Sequence, residues 1–322
     1  MTEKNRRGIW IGVLASLAFG TSGAFIKPLL ESGWSPAAAV TVRTGIAGLA
    51  LAPFAFRALR GRWGALWVGR GRILAMAAIG VAGTQLAYFM AIQRMNVGMA
   101  ILIEYLAPLL LVGFAWATTR RMPRVVVLIG SVVALTGLVL VIGPANGQRP
   151  DALGLIAAFG AAIGAATYYL IAARPAVGLP PVALAACGLL LGSVLLASAG
   201  LAGALPFETN FGEVPLLGGL APWWVPLGVV ALVGTAVAYA ASIAATGMLG
   251  SRLMSFIGLL EVVFAALFAW LLLGEVLGPL QFLGGALILA GIIFVDSERS
   301  TPPVAPIPPS QPVFDEGVTP RG

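Results

Sequence analysis

The stretch from Gly98 to Trp116, GMAILIEYLAPLLLVGFAW, is almost entirely apolar, yet it holds Glu104. A charge inside a spanning helix costs roughly 2.5–3.5 kcal/mol even on the gentler insertion scales, so such a residue calls for a functional reason. A second carboxylate, Glu261, interrupts the run LLEVVFAALFAW, and Arg43 stands inside TVRTGIAGLAL. Each glutamate can receive a substrate amine or carry a proton as coupling ion. Arg43 has a planar fork suited to carboxylates. It is expected either to pair with Glu104 or Glu261 or to bind a substrate carboxylate. Tyr88, Tyr105 and Tyr239 offer a broad face and a hydroxyl to a shared cavity, with Tyr168 and Tyr169 as further candidates. Pro108 can hinge its helix, because proline leaves a backbone carbonyl to be satisfied elsewhere. Lys27, at the end of an apolar run, is expected to snorkel outward.

The rest of the composition says what must position these groups. The chain has 322 residues, 59% hydrophobic and only 10% charged, with a mean hydropathy of +0.99. Soluble domains carry about 25% charged residues, so this is a multi-pass membrane protein and its net charge of +7 does not point to nucleic acid. There is one cysteine, Cys187, and no histidine. An internal disulfide is excluded, and no metal or cofactor is expected. No nucleophile–base pair suggests an enzyme, and no Gly-rich Walker loop suggests an ATP-driven pump. MTEKNRRG leads into an apolar run without a small-residue cleavage site, which reads as a retained first helix.

Spanning helices need about 20 apolar residues. Ten such runs are expected, at 8–27, 36–56, 73–92, 97–118, 125–142, 153–173, 181–203, 223–245, 253–273 and 278–295. With the N-terminus in the cytoplasm, 15 of the 19 basic residues fall inside, and only Lys27, Arg94 and Arg149 outside. The positive-inside rule therefore predicts both termini cytoplasmic. Trp10, Trp63, Trp67, Trp223 and Trp224 lie near run ends and read as interface anchors. Residues 297–322 are Pro-rich and polar, expected as a disordered cytoplasmic tail.

The chain also repeats itself. At an offset of 154, Phe114-Ala115-Trp116 falls on Phe268-Ala269-Trp270, Gly130 on Gly284 and Gly137 on Gly291. At an offset of 151, Tyr88 falls on Tyr239. Two five-helix units follow, 1–142 and 153–296, joined by 143–152. Because five is odd, the second enters the membrane in the opposite sense. The expected fold is all-α: ten transmembrane helices as two inverted five-helix repeats. Inverted repeats are the architecture of many secondary transporters, with the substrate site near the midplane between the halves. Glu261 and Glu104 are near-equivalents under the repeat, offset by about one helical turn.

Across 8–295 the sequence resembles the drug/metabolite transporter superfamily, in particular its ten-helix EamA-type members. The resemblance runs through SPAAAVTVRTGIAGLAL, YFMAIQRMNVGMAILIEYLAPLL and LLEVVFAALFAWLLLGEVLGPLQFLGGALILAG. Arg43 stands at the family's second-span arginine and Glu261 at its ninth-span glutamate. Where the family has Glu-Pro, this chain has Glu261-Val262, so the ninth helix is expected to lack the usual kink. AIQRMNVGMAILIEYLAPL looks like the threonine and homoserine exporter branch, through Ile92, Gln93, Gly98, Ala100, Glu104, Tyr105 and Pro108. The resemblance implies export of amino acids or related zwitterions across the inner or plasma membrane, with protons as a coupling ion and the protein a monomer or homodimer. Drug export or import on the same fold is the alternative. A non-transporting scaffold or sensor is the alternative of another class.

Overall fold

A backbone in hydrocarbon must satisfy its polar groups internally, and the apolar runs accordingly form long helices. The computed structural model describes residues 3–120, 122–142, 151–172, 178–250, 254 and 257–298. Its long helices are α1 (Glu3–Glu31), α2 (Pro36–Leu59), α3 (Arg70–Ile92), α4 (Val97–Thr119), α5 (Val125–Ile142), α6 (Ala152–Ala172), α7 (Pro181–Leu201), α8 (Trp224–Leu249), α9 (Leu260–Leu273) and α10 (Pro279–Glu298). Among the described residues, seven of these are long and apolar enough to cross a membrane, namely α1 to α5, α7 and α8. The other three carry shorter apolar stretches, Ala152–Tyr168, Leu260–Leu273 and Pro279–Phe294. Most of the expected connecting loop and nearly all of the tail, like the Tyr169 side chain, lie outside the described residues.

The fold is not wholly helical. Between α7 and α8 a hairpin pairs β1 (Glu213–Leu216) with β2 (Gly219–Pro222), antiparallel. It turns at Leu217 and Gly218, both at positive φ. The preceding loop folds over the junction of α1 and α2. Trp34 Nε1 donates to the Asn210 carbonyl at 2.6 Å, and Ser35 N–H donates to the Glu208 carbonyl at 3.0 Å. Trp223 stacks on Trp34 at 5.5 Å, whereas Trp10, Trp63, Trp67 and Trp224 are exposed.

The repeat is visible in how the helices cross. A Cβ on Gly137 would lie 2.5 Å from the Gly284 carbonyl, and one on Gly291 would lie 2.5 Å from the Gly130 carbonyl. The sequence offset relates 130 to 284 and 137 to 291; the contacts join 137 to 284 and 130 to 291. That exchange is what a two-fold axis between α5 and α10 produces, since each position meets its counterpart's neighbour. The glycine pairs Gly160/Gly164 and Gly188/Gly192 pack against neighbouring helices of the same chain. Gly164 lies against Thr84, and Gly188 and Gly192 against Met76 and Val81.

Two irregularities also repeat. α3 widens into a π-helical stretch over Met76–Gly83, and α8 does so over Val229–Val237. In α3 the Thr84 hydroxyl donates to the Ile79 carbonyl, and in α8 Thr235 donates to Val230, both at 2.8 Å. The two threonines differ by 151, like Tyr88 and Tyr239. Each hydroxyl satisfies a carbonyl that the wide turn releases from the regular ladder.

α4 breaks at Tyr105 and Leu106 into Val97–Glu104 and Ala107–Thr119. Pro108, near the start of the second piece, has no N–H for the Glu104 carbonyl. The ninth helix breaks at the matching place, with a turn at Leu259 immediately before α9. This corrects the expectation of an unkinked ninth span. No proline is needed, because Val262 N–H bonds the Leu259 carbonyl at 3.2 Å. The Gly258 carbonyl is met instead by the Tyr105 hydroxyl at 3.1 Å.

Candidate functional site

The two breaks and the π-turn of α3 border a cavity of about 800 Å³ between the two halves, which α8 lines just beyond its own π-turn. Arg43, Tyr88, Glu104, Tyr105, Pro108, Tyr239 and Glu261, the seven candidates from the sequence, all line it. Tyr168 joins them from α6. α2 supplies Arg43, the broken helices α4 and α9 supply the glutamates, and the π-bearing helices α3 and α8 supply Tyr88 and Tyr239. Helices interrupted at membrane depth are tolerated where their backbone lines a cavity or is buried in protein.

The three charges have different surroundings. The Glu261 carboxylate accepts a hydrogen bond from the Tyr105 hydroxyl at 2.8 Å, which ties the two break points together. Arg43 is 3% exposed. Its Nε donates to Thr235 Oγ1 at 2.7 Å and its Nη1 to Gln85 Oε1 at 3.0 Å, while the guanidinium lies over the Phe89 ring at 5.1 Å. Arg43 and the glutamates are within electrostatic range of one another, but the expected direct pair with Glu104 or Glu261 is absent. Neutral acceptors on the two π-bearing helices reach the guanidinium first. Glu104 has no hydrogen-bond or ion-pair partner among the described residues.

Gln85, Thr235 and Phe89 escape sequence reasoning, since a threonine or glutamine in an apolar run is ordinary. The 151 offset between Thr84 and Thr235 was the one signal that could have marked the pair.

Lys27 is also corrected. It does not snorkel to solvent: its side chain is 13% exposed and forms an ion pair with Glu275, itself 12% exposed. The Lys27 ammonium also donates to the Met95 carbonyl at 3.2 Å, and Glu275 Oε2 accepts from the Val97 N–H at 2.8 Å. The end of α1, the α3–α4 junction and the α9–α10 junction are thereby tied together. The cavity lining runs the other way, to Pro181 at the start of α7 and to Thr246 and Gly247 near the end of α8.

Comparison with known proteins agrees with this architecture. The EamA-like transporter family matches residues 6–143 and 152–296, one copy per half. The chain is 27% identical over 303 residues to the uncharacterized transporter YwfM of Bacillus subtilis (strain 168), covering 88% of this chain and 92% of that one. It is 24% identical over 312 residues to the uncharacterized inner membrane transporter YicL of Salmonella typhimurium, covering 91% and 97%. A solved crystal structure with 19% sequence identity superposes at a TM-score of 0.60 over 92% of this chain and 99% of that one, a likeness of fold.

Proposed function

Because the chain belongs to the EamA-like transporter family, we propose that this multi-pass membrane transporter is a ten-span secondary transporter of small zwitterions. In this reading it exports amino acids or related metabolites across the inner or plasma membrane by alternating access. The observation that carries the reading is the convergence of Arg43, Glu104 and Glu261 on one cavity between two halves that repeat each other's glycines, π-turns and helix breaks. A site bounded by both halves changes its exposure when one half rocks against the other. The ends of α1, α3, α7 and α9 gather on one side through Lys27–Glu275 and the hairpin loop, which supports successive helices running in alternating directions. Orientation rests on charge: the arginines at 57, 60, 62, 70 and 72 cluster at the α2–α3 connection and the helix ends beside it, whereas Lys27 and Arg94 at the opposite end face Glu275 and Asp151. That bias supports cytoplasmic termini. The resemblance of residues 91–109 to threonine and homoserine exporters supports an amino-acid cargo.

The test is counterflow in liposomes with labelled threonine, homoserine and a mixed amino-acid pool. Accumulation against preloaded unlabelled amino acid is expected. Folded protein that exchanges none of them would overturn the amino-acid cargo and direct the assay to drugs and other metabolites. Acceleration by an imposed proton gradient would identify the coupling ion, and indifference to it would indicate facilitated exchange.

A further inference from the structure

The cavity's charges do not balance. Among the described residues its charged lining groups are one arginine and two glutamates, Arg43, Glu104 and Glu261. With all three ionised, the site is short of one positive charge. An isolated charge away from water is costly unless paired, so a cation entering this site is favoured over an anion.

The hydrogen bonding says where that cation goes. A guanidinium grips a carboxylate best through two parallel N–H bonds. The side-on edge of Arg43 is already used by Nε to Thr235, and Nη1 is engaged by Gln85. Arg43 is therefore a positioning residue that joins α2 to the π-bearing segments of both halves. Glu261 has a donor in Tyr105. Glu104, half-buried on the cavity wall, has none among the described residues. Glu104 is the lining charge left for a ligand.

The space around it is far larger than an ammonium needs, about 800 Å³, within the range of sites for drug-sized ligands. Aromatic rings bound it: Phe19 packs edge-on to Tyr239 at 5.3 Å, and Tyr88, Tyr105 and Tyr168 complete the lining. Ring faces attract both apolar groups and cations.

We propose that the cavity selects its substrate through an ammonium group received by Glu104, and that the preferred class is a primary amine with an aromatic or apolar body, the carboxylate of an amino acid being dispensable. This rests on the transporter reading and narrows it, because a zwitterion is then bound by its amine end. Arg43, with Nε and Nη1 already engaged, offers the other end only its remaining N–H groups.

Three probes of matched shape separate the charges: phenethylamine, phenylalanine and phenylacetate. Their binding to the purified full chain in detergent is measured by calorimetry. Phenethylamine is expected to bind at least as tightly as phenylalanine, with phenylacetate far weaker. In Glu104→Gln, which removes the charge while keeping the shape, phenethylamine affinity is expected to fall by about tenfold to a hundredfold, the range set by losing a charge-assisted hydrogen bond. Size-exclusion and thermal unfolding without probe establish that the variant is folded. Phenylacetate binding as tightly as phenethylamine would overturn the proposal. So would an unchanged amine affinity in folded Glu104→Gln, or no binding of the amine to wild type. The wild-type series decides the matter even if the variant fails to fold. Transport is scored separately in liposomes. Amine binding without exchange of any probe would overturn the transporter reading and leave the ammonium site standing. Exchange of phenylalanine with no preference for the amine over the acid would do the reverse.

Discussion

Arg43 and Glu104 carry opposite charges in otherwise apolar helices, and their neighbours give them opposite roles. Arg43 donates to Thr235 and Gln85 and stacks on Phe89, so its charge holds three helices in register. Thr235→Val removes the acceptor of Arg43 Nε without removing the arginine. It is expected to destabilise the protein by about 1.5–3 kcal/mol, the usual worth of a hydrogen bond to a charged group, measured as a lowered unfolding midpoint in detergent. Arg43→Lys should cost as much, because an ammonium cannot reproduce the fork. Tyr105→Phe removes the single hydroxyl proton shared between Glu261 and the Gly258 carbonyl; a loss of about 1–3 kcal/mol is expected. An unchanged midpoint in any of the three would mean that its hydrogen bond does not hold the helices. The charges themselves were legible in the sequence, because nothing in a lipid-facing helix explains Glu104, Glu261 or Arg43. Their partners were not. Which acceptor reaches a guanidinium depends on the rotation of three helices about their axes, and hydropathy of this kind carries no phase for helices apolar on every side.

At the scale of the element, α5 and α10 cross in close contact. Backbone meets backbone at Gly137/Gly284 and Gly130/Gly291. An alanine methyl at Gly284 or Gly291 has no flexible side chain to displace and must push the helices apart. Overpacking of this kind costs about 1–3 kcal/mol, and the pseudo-two-fold axis predicts similar losses for Gly137→Ala and Gly291→Ala. Gly113, in α4, has nothing within 4 Å of its would-be Cβ, so Gly113→Ala is expected to be neutral or to stabilise by about 0.5–1 kcal/mol through helix propensity. Equal effects at Gly113 and Gly291 on thermal unfolding would refute the packing account. The repeat of these glycines was readable from the sequence, and the exchange of partners follows from it once an axis is assumed. The π-turns were not readable, since Met76–Gly83 and Val229–Val237 have no proline or charge to mark them. The break before α9 was misjudged for a related reason. A proline marks the break in α4, whereas in the ninth helix a carbonyl drawn to the Tyr105 hydroxyl does the same work without a sequence signature.

For the whole molecule, the account is of two halves around one charged cavity, tied at one end by Lys27 and Glu275. By the 154 offset, Glu275 corresponds to Arg121, so the sequence does not repeat this acid in the first half. Alternating access requires the tied end to part, and Glu275→Gln should favour that parting. In a Cys187→Ser background, a cysteine at Gly98, near the tie, is expected to react with an impermeant maleimide about tenfold faster in Glu275→Gln, equivalent to about 1.4 kcal/mol of population shift. Unchanged labelling would make the pair a static brace. Membrane character and the internal repeat were the most legible from sequence, because hydropathy and a constant offset report on them directly. The closure at Lys27 was not, since a lysine at a helix end reads equally as an outward-reaching side chain. The most direct test of the central claim is counterflow of amino acids and amines in liposomes, with wild type beside folded Glu104→Gln. The account predicts exchange by wild type that is lost in the variant. Exchange proceeding equally in both, or in neither, would contradict it.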